Sequence, residues 1–99
     1  MARFDVFRLD HEEFLLLDLQ SALHDVLKTR VVAPLIPASN MSWSIERLHP
    51  RFEIEEVVYV LATNRLAAVD QRDLGALVTN LAADADRIIA ATDFLFQGF

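Results

Sequence analysis

Residues 81–99 read Leu81-Ala82-Ala83-Asp84-Ala85-Asp86-Arg87-Ile88-Ile89-Ala90-Ala91-Thr92-Asp93-Phe94-Leu95-Phe96-Gln97-Gly98-Phe99. Leu81, Ala85, Ile88, Thr92, Leu95 and Phe99 recur at steps of four and three, which is one stripe of an amphipathic helix, predicted over about residues 81–97. Asn80 is a candidate cap, Asp84 and Asp86 suit the positive end of the helix dipole, and Gly98 suits the residue at which a helix releases. Asp73 is a second candidate cap, but a start there would place Gly75 inside the helix, at about 1 kcal/mol relative to alanine. A second stripe, Asp86, Ala90, Asp93 and Gln97, is polar and small and is expected to face water or a partner. Phe94 and Phe96 point to different sides, so one of them leaves the core. The aromatics then either close the core or a dimer seam, or form a terminal hook that inserts into a partner.

Upstream of the helix the period changes. Phe4-Asp5-Val6-Phe7 alternates, Asp10-His11-Glu12-Glu13 is a charged break, and Phe14-Leu15-Leu16-Leu17-Asp18-Leu19 is a short apolar run. Two short runs across an acidic turn predict a hairpin. Val31 to Pro37 predicts a third strand, with an edge or an end near Pro34, which has no N–H for a ladder. Phe52-Glu53-Ile54 is a short alternating piece, and Val57 to Ala62 is β-branched and continuous, as a central strand is. Between them, Met41, Ile45 and Leu48 have helical spacing, while Ser39, Asn40, Ser42 and Ser44 favour an irregular loop. Strands over about residues 2–70 and a helix over about 81–97 make one mainly β domain, residues 1–99, with one C-terminal helix.

Composition bounds the function. The chain is 54% hydrophobic with only two glycines and three prolines, which is rich for a small monomer. A face buried against a second copy accounts for the excess, and a densely packed monomer is the alternative. Fifteen acidic and nine basic side chains give a net charge of −6, so direct nucleic-acid binding and membrane binding are not expected. A basic partner suits this charge better. There is no cysteine, no signal-peptide core at Met1-Ala2-Arg3-Phe4-Asp5, and no apolar run near the ~20 residues that cross a bilayer. A cytoplasmic location is the expectation.

Catalytic patterns are sparse. His11, His24 and His49 have no neighbours at ligand spacing, so neither a metal nor a cofactor is expected. Glu12-Glu13 and Glu55-Glu56 border strands, where solvated turns are the simpler reading than acid–base pairs. Ser39, Ser42 and Ser44 lack a nucleophile elbow, and Gly75 and Gly98 make no phosphate-cradling loop. A binding protein rather than an enzyme is the expectation.

Taken end to end, the chain resembles the CcdB family of plasmid-addiction toxins. The resemblance runs through Phe4-x-Val6-Phe7, Leu17-Asp18-Leu19-Gln20-Ser21, Arg30-Val31-Val32-Ala33-Pro34-Leu35, Leu48-His49-Pro50, Thr63 with Ala67-x-Val69, and Phe96-Gln97-Gly98-Phe99, in order and at family spacing. It implies an SH3-like antiparallel sheet of the CcdB–MazF toxin class, a subsidiary sheet, one C-terminal helix, and a homodimer whose seam includes the helix and the strands beside it. It implies a non-enzymatic toxin that wedges into the A subunit of DNA gyrase and traps cleaved DNA. A cognate CcdA-like antitoxin neutralises such a toxin through a disordered C-terminal segment and uses it as corepressor.

The family's gyrase hook is a terminal tryptophan, glycine and isoleucine, which correspond here to Gln97, Gly98 and Phe99. Gln97 has no π-face to stack on a gyrase arginine, and loss of a desolvated aromatic anchor costs about 2–4 kcal/mol, or roughly thirty- to a thousandfold in affinity. Phe96 and Phe99 are the candidate substitutes. Asp93 corresponds to a gyrase-contacting asparagine, Leu23 and His24 to two isoleucines of a neighbouring loop, and Val26-Leu27-Lys28 stands where that loop has proline-glycine. Two alternatives stay open: a toxin of this fold with altered or lost gyrase activity, down to a retired toxin that only binds antitoxin, and an RNA-cleaving toxin. The latter needs a basic groove, against which the net charge and the scattered arginines argue.

Overall fold

The first two apolar runs become β1 (Asp5–Arg8) and β2 (Leu15–Asp18) in the computed structural model, which describes residues 2–22 and 26–99. They pair antiparallel, Val6 opposite Leu17 and Arg8 opposite Leu15, across the acidic turn. The chain continues through β3 (Thr29–Pro37), β4 (Arg51–Ile54), β5 (Val57–Leu61), β6 (Ala67–Asp70) and β7 (Leu77–Asn80) to helix α1 (Ala85–Gln97). The strands run in the order β4-β5-β3-β2-β1-β7, with β6 paired to β3 beside that path. The two edges come round toward each other: Glu53, Ile54 and Glu55 share a groove with Val78, Thr79 and Leu81. An exposed ion pair, Arg8 Nη2 to Glu55 Oε2 at 3.4 Å, spans the same opening. The result is a curled antiparallel half-barrel with one helix, the expected fold class.

Pro34 does not put β3 at an edge. Along one side β3 pairs with β2 throughout Val32–Leu35; along the other, Thr29–Val32 pair with β6 and Leu35–Pro37 with β5. Pro34 sits where β3 changes partner, so its missing donor falls at a break in the ladder, while its carbonyl accepts from Ala62 N at 2.9 Å. Because β3 joins both groups of strands, the expected subsidiary sheet is continuous with the main one. β5 lies inside the sheet as predicted, but Val57 and Val58 run past the end of β3 and are exposed.

The core gathers Val6, Leu15, Leu17, Ala33, Leu35 and Leu61 from the sheet against Leu81 and Ile88 from the helical end. The opposite face of the sheet is apolar as well. Phe7, Leu16, Val32 and Val60 are buried there, and Phe14, Pro34, Ile36, Ala67 and Val69 leave a groove of about 250 Å³. A sheet greasy on both faces with one helix is the physical origin of the high hydrophobic content.

The last quarter departs from the sequence reading in two ways. Leu77–Asn80 form a strand beyond residue 70, paired to β1 across a bulge between Val6 and Phe7. Gly75 makes that pairing feasible, because a β-carbon there would lie 2.1 Å from the Arg8 carbonyl oxygen. The helix begins at Ala85 rather than near residue 81, after a single 3₁₀ turn over Ala82–Asp84. Asn80 does not cap the helix: its Oδ1 accepts from Ala82 N at 2.8 Å, at the start of that turn, and Asp73 stands at the end of a separate 3₁₀ turn, Gln71–Asp73, rather than at a helix start.

Residues 38–50 form no helix beyond a 3₁₀ turn at Ala38–Asn40, so Met41, Ile45 and Leu48 never share a helical face. Buried His49 holds this loop. Its Nδ1 accepts from Ile45 N at 2.9 Å, so its Nε2 carries the proton and donates to Asn64 Oδ1 at 2.8 Å.

Candidate functional site: the C-terminal tip and the two flanks of the helix

Helix α1 ends as its sequence demands. Gly98 is left-handed (φ 84°, ψ 5°) and its N–H donates to the Phe94 carbonyl at 2.9 Å. An L-residue resists that backbone, so glycine fixes how the last residue leaves the helix. The periodic count carries Phe99 into the core stripe. The structure does not: the turn at Gly98 throws it off the helix face, and it is 75% exposed. Phe96 is 71% exposed, while Phe94 is half-buried with the Arg47 guanidinium 4.6 Å above its ring. Of the pair predicted to diverge, Phe96 is the one that leaves the core. Gln97 and Asp93 are exposed beside it, with Asp86 and Ala90, so the polar second stripe faces outward as expected. Gln97, Gly98, Phe99, Phe96 and Asp93 are thus brought together on one accessible tip.

Leu23 and His24 lie outside the described residues. The connection they belong to departs at Leu19 and returns at Val31, and the Leu19 N–H donates to the Val31 carbonyl at 2.9 Å. Leu19 and Val31 also line a pocket of about 220 Å³ with Leu66, Ile88, Thr92 and Phe96. The roots of that loop therefore sit beside the exposed Phe96 ring. On the return side Val26 is 91% exposed.

The other flank of the helix carries a feature the sequence did not announce. Arg47 and Arg51 from the loop and β4 meet Arg87 of α1 around a groove of about 530 Å³ floored by Pro50 and Ala90, with Glu46 as the one carboxylate among the described residues of its lining. Arg87 stacks over Phe52 at 4.5 Å, donates from Nη2 to the Arg51 carbonyl at 2.6 Å, and has Asp84 at 3.6 Å. Arginines scattered in sequence are thus gathered in space. The only sequence signal is the four-residue step from Arg47 to Arg51; nothing in the pattern announces Arg87.

His49 also borders this groove, but both ring nitrogens are engaged and the side chain is buried. Among the described residues, no three histidine or acidic side chains cluster to hold a metal ion.

Comparison with known proteins agrees with the fold. No curated protein matches the sequence. An endoribonuclease solved in complex with its cognate antitoxin, from a mycobacterial species, superposes with a TM-score of 0.75 at 12% identity, covering 98% of this chain and 95% of its own. At that identity the likeness speaks for the fold alone. The family model described as CcdB protein matches residues 3–98, nearly the whole chain. The chain belongs to the CcdB family, the toxins of toxin–antitoxin pairs.

Proposed function

We propose that this toxin acts by binding rather than catalysis: it poisons DNA gyrase, gripping the gyrase A protein through its C-terminal tip. In this reading it works in the cytoplasm as a homodimer. It serves as corepressor with a CcdA-like antitoxin whose disordered segment neutralises it, and so supports plasmid maintenance. The observation that carries the reading is the helix end at Gly98, which presents Phe99 and Phe96 to solvent. Aromatic side chains at a rigid helix end bury large area at low entropic cost when a partner closes over them. The groove beside Phe14 and Ile36 supports a second copy as a further partner, since apart from Arg65 it is apolar surface left uncovered in one chain.

Gln97 sets the expected strength. Its amide offers hydrogen bonds but no ring to stack on an arginine, so Phe96 and Phe99 must supply the aromatic contact. Production of the protein without antitoxin should arrest growth and induce the DNA-damage response. Removal of residues 97–99 should abolish both while leaving the melting temperature and antitoxin binding unchanged. A truncated variant that still kills rules the reading out.

An RNA-cleaving toxin is the second reading, and the Arg47, Arg51 and Arg87 groove favours it. Cleavage also needs a free acid–base group at the scissile phosphate. Among the described residues of the lining, His49 has both nitrogens committed to Ile45 and Asn64, which leaves the Glu46 carboxylate with no second acid–base group to work with it. Incubation of purified protein with RNA separates the two readings: intact RNA is expected.

A further inference from the structure

We infer that the groove between the 44–51 loop and α1 is a docking site for an acidic peptide segment of a partner protein, held by Arg47, Arg51 and Arg87. The chain as a whole is acidic, at −6, yet three of its nine basic side chains line this one depression, against one carboxylate, Glu46, among the described residues of the lining. That local reversal of sign is the first argument, because complementary charge selects partners and orients them.

The second argument is preorganisation. The guanidinium carbon of Arg47 lies 4.6 Å from the centre of the Phe94 ring and that of Arg87 4.5 Å from the centre of the Phe52 ring. A side chain held against a ring loses little further freedom on binding, and Arg87 is fixed further by its Nη2 bond to the Arg51 carbonyl and by Asp84, which leaves its remaining N–H groups, with those of Arg47, for a carboxylate. Arg51 is exposed and has no side-chain partner among the described residues. Pro50 and Ala90 give the floor an apolar strip for the peptide's uncharged side chains.

Peptide fits better than nucleic acid. Exposed Asp86 and Asp93 stand on the outer face of the same helix, and Asp84 lies 3.6 Å from Arg87. A strand of successive phosphates leaving the groove would meet those carboxylates, whereas a segment with two or three acidic side chains places charge only where the arginines are. This site is independent of the gyrase reading, since none of its three arginines belongs to the C-terminal tip.

The test uses the full chain and three defined probes: a hexapeptide alternating glutamate and alanine, its glutamine twin, and a single-stranded RNA hexamer. Arginine Nε–Hε resonances report which side chains respond. The glutamate peptide should shift Arg47, Arg51 and Arg87, bind at least about tenfold tighter than the glutamine twin, and weaken as salt is raised. Arg51→Glu should reduce its affinity by about tenfold or more with the melting temperature unchanged. Should that variant melt early, Arg47→Gln supplies the same comparison. Equal binding of the two peptides, shifts confined to other arginines, or unchanged affinity in a folded variant overturns the proposal. RNA binding tighter than the glutamate peptide on the same arginines overturns it too, in favour of nucleic acid.

Discussion

Arg30 and Asp18 form a buried ion pair across β2 and β3: Arg30 Nε lies 2.9 Å and Nη2 2.7 Å from Asp18 Oδ2, with the two side chains 1% and 0% exposed. The other carboxylate oxygen accepts from Gln20 N at 2.9 Å, Arg30 Nη2 reaches the Gln20 carbonyl at 3.3 Å, and Gln20 Oε1 accepts from Val31 N at 3.1 Å. Asp18, Gln20 and Arg30 thus form one network that ties the two roots of the β2–β3 connection together.

Removal of one member leaves the other charged and buried. Arg30→Met alone, or Asp18→Leu alone, should lower unfolding free energy by about 3–5 kcal/mol, while the double variant should recover most of the loss. Urea unfolding of the three variants checks this, and equal losses in single and double variants would contradict it.

Glu55 and Glu56 join β4 to β5 in a two-residue hairpin, with Ile54 opposite Val57, and both residues have positive φ, 51° and 67°. Hairpins of this kind favour asparagine followed by glycine, since other residues strain there. Glu55→Asn combined with Glu56→Gly should stabilise by about 1 kcal/mol, seen as a rise in Tm of roughly 4–8 °C. Loss of the exposed Arg8–Glu55 pair offsets little of that gain.

Thr63 is fully buried, and its hydroxyl oxygen has no hydrogen-bond partner among the described residues. A buried hydroxyl without a partner costs stability that a methyl group of similar size does not. Thr63→Val should therefore raise unfolding free energy by about 1 kcal/mol. A loss measured in the same urea experiment would reveal a partner for the hydroxyl.

The strands are legible wherever a short apolar run meets a turn: Val6, Leu15 to Leu17, Val31 to Ile36 and Tyr59 to Leu61 all lie in strands. β7 is not, because Leu77-Val78-Thr79-Asn80 is only four residues long and owes its pairing to a β1 bulge and to the close approach at Gly75. Pro34 misleads, because a proline can also sit where an interior strand exchanges one neighbour for another. The helix is legible from its period, but the period places Phe99 in the core because a count carries on past Gly98 while the backbone does not. The Arg47, Arg51 and Arg87 groove is invisible in the sequence, since its members meet only after β4 is laid beside α1.

The central claim is that the C-terminal tip grips gyrase, and a DNA cleavage-complex assay with purified gyrase tests it most directly. The chain as it stands should trap cleaved DNA, Gln97→Trp should do so at roughly thirty- to a thousandfold lower concentration, and the chain lacking residues 97–99 should trap none. Folded protein that traps no cleaved DNA, either as it stands or with Gln97→Trp, would contradict the account.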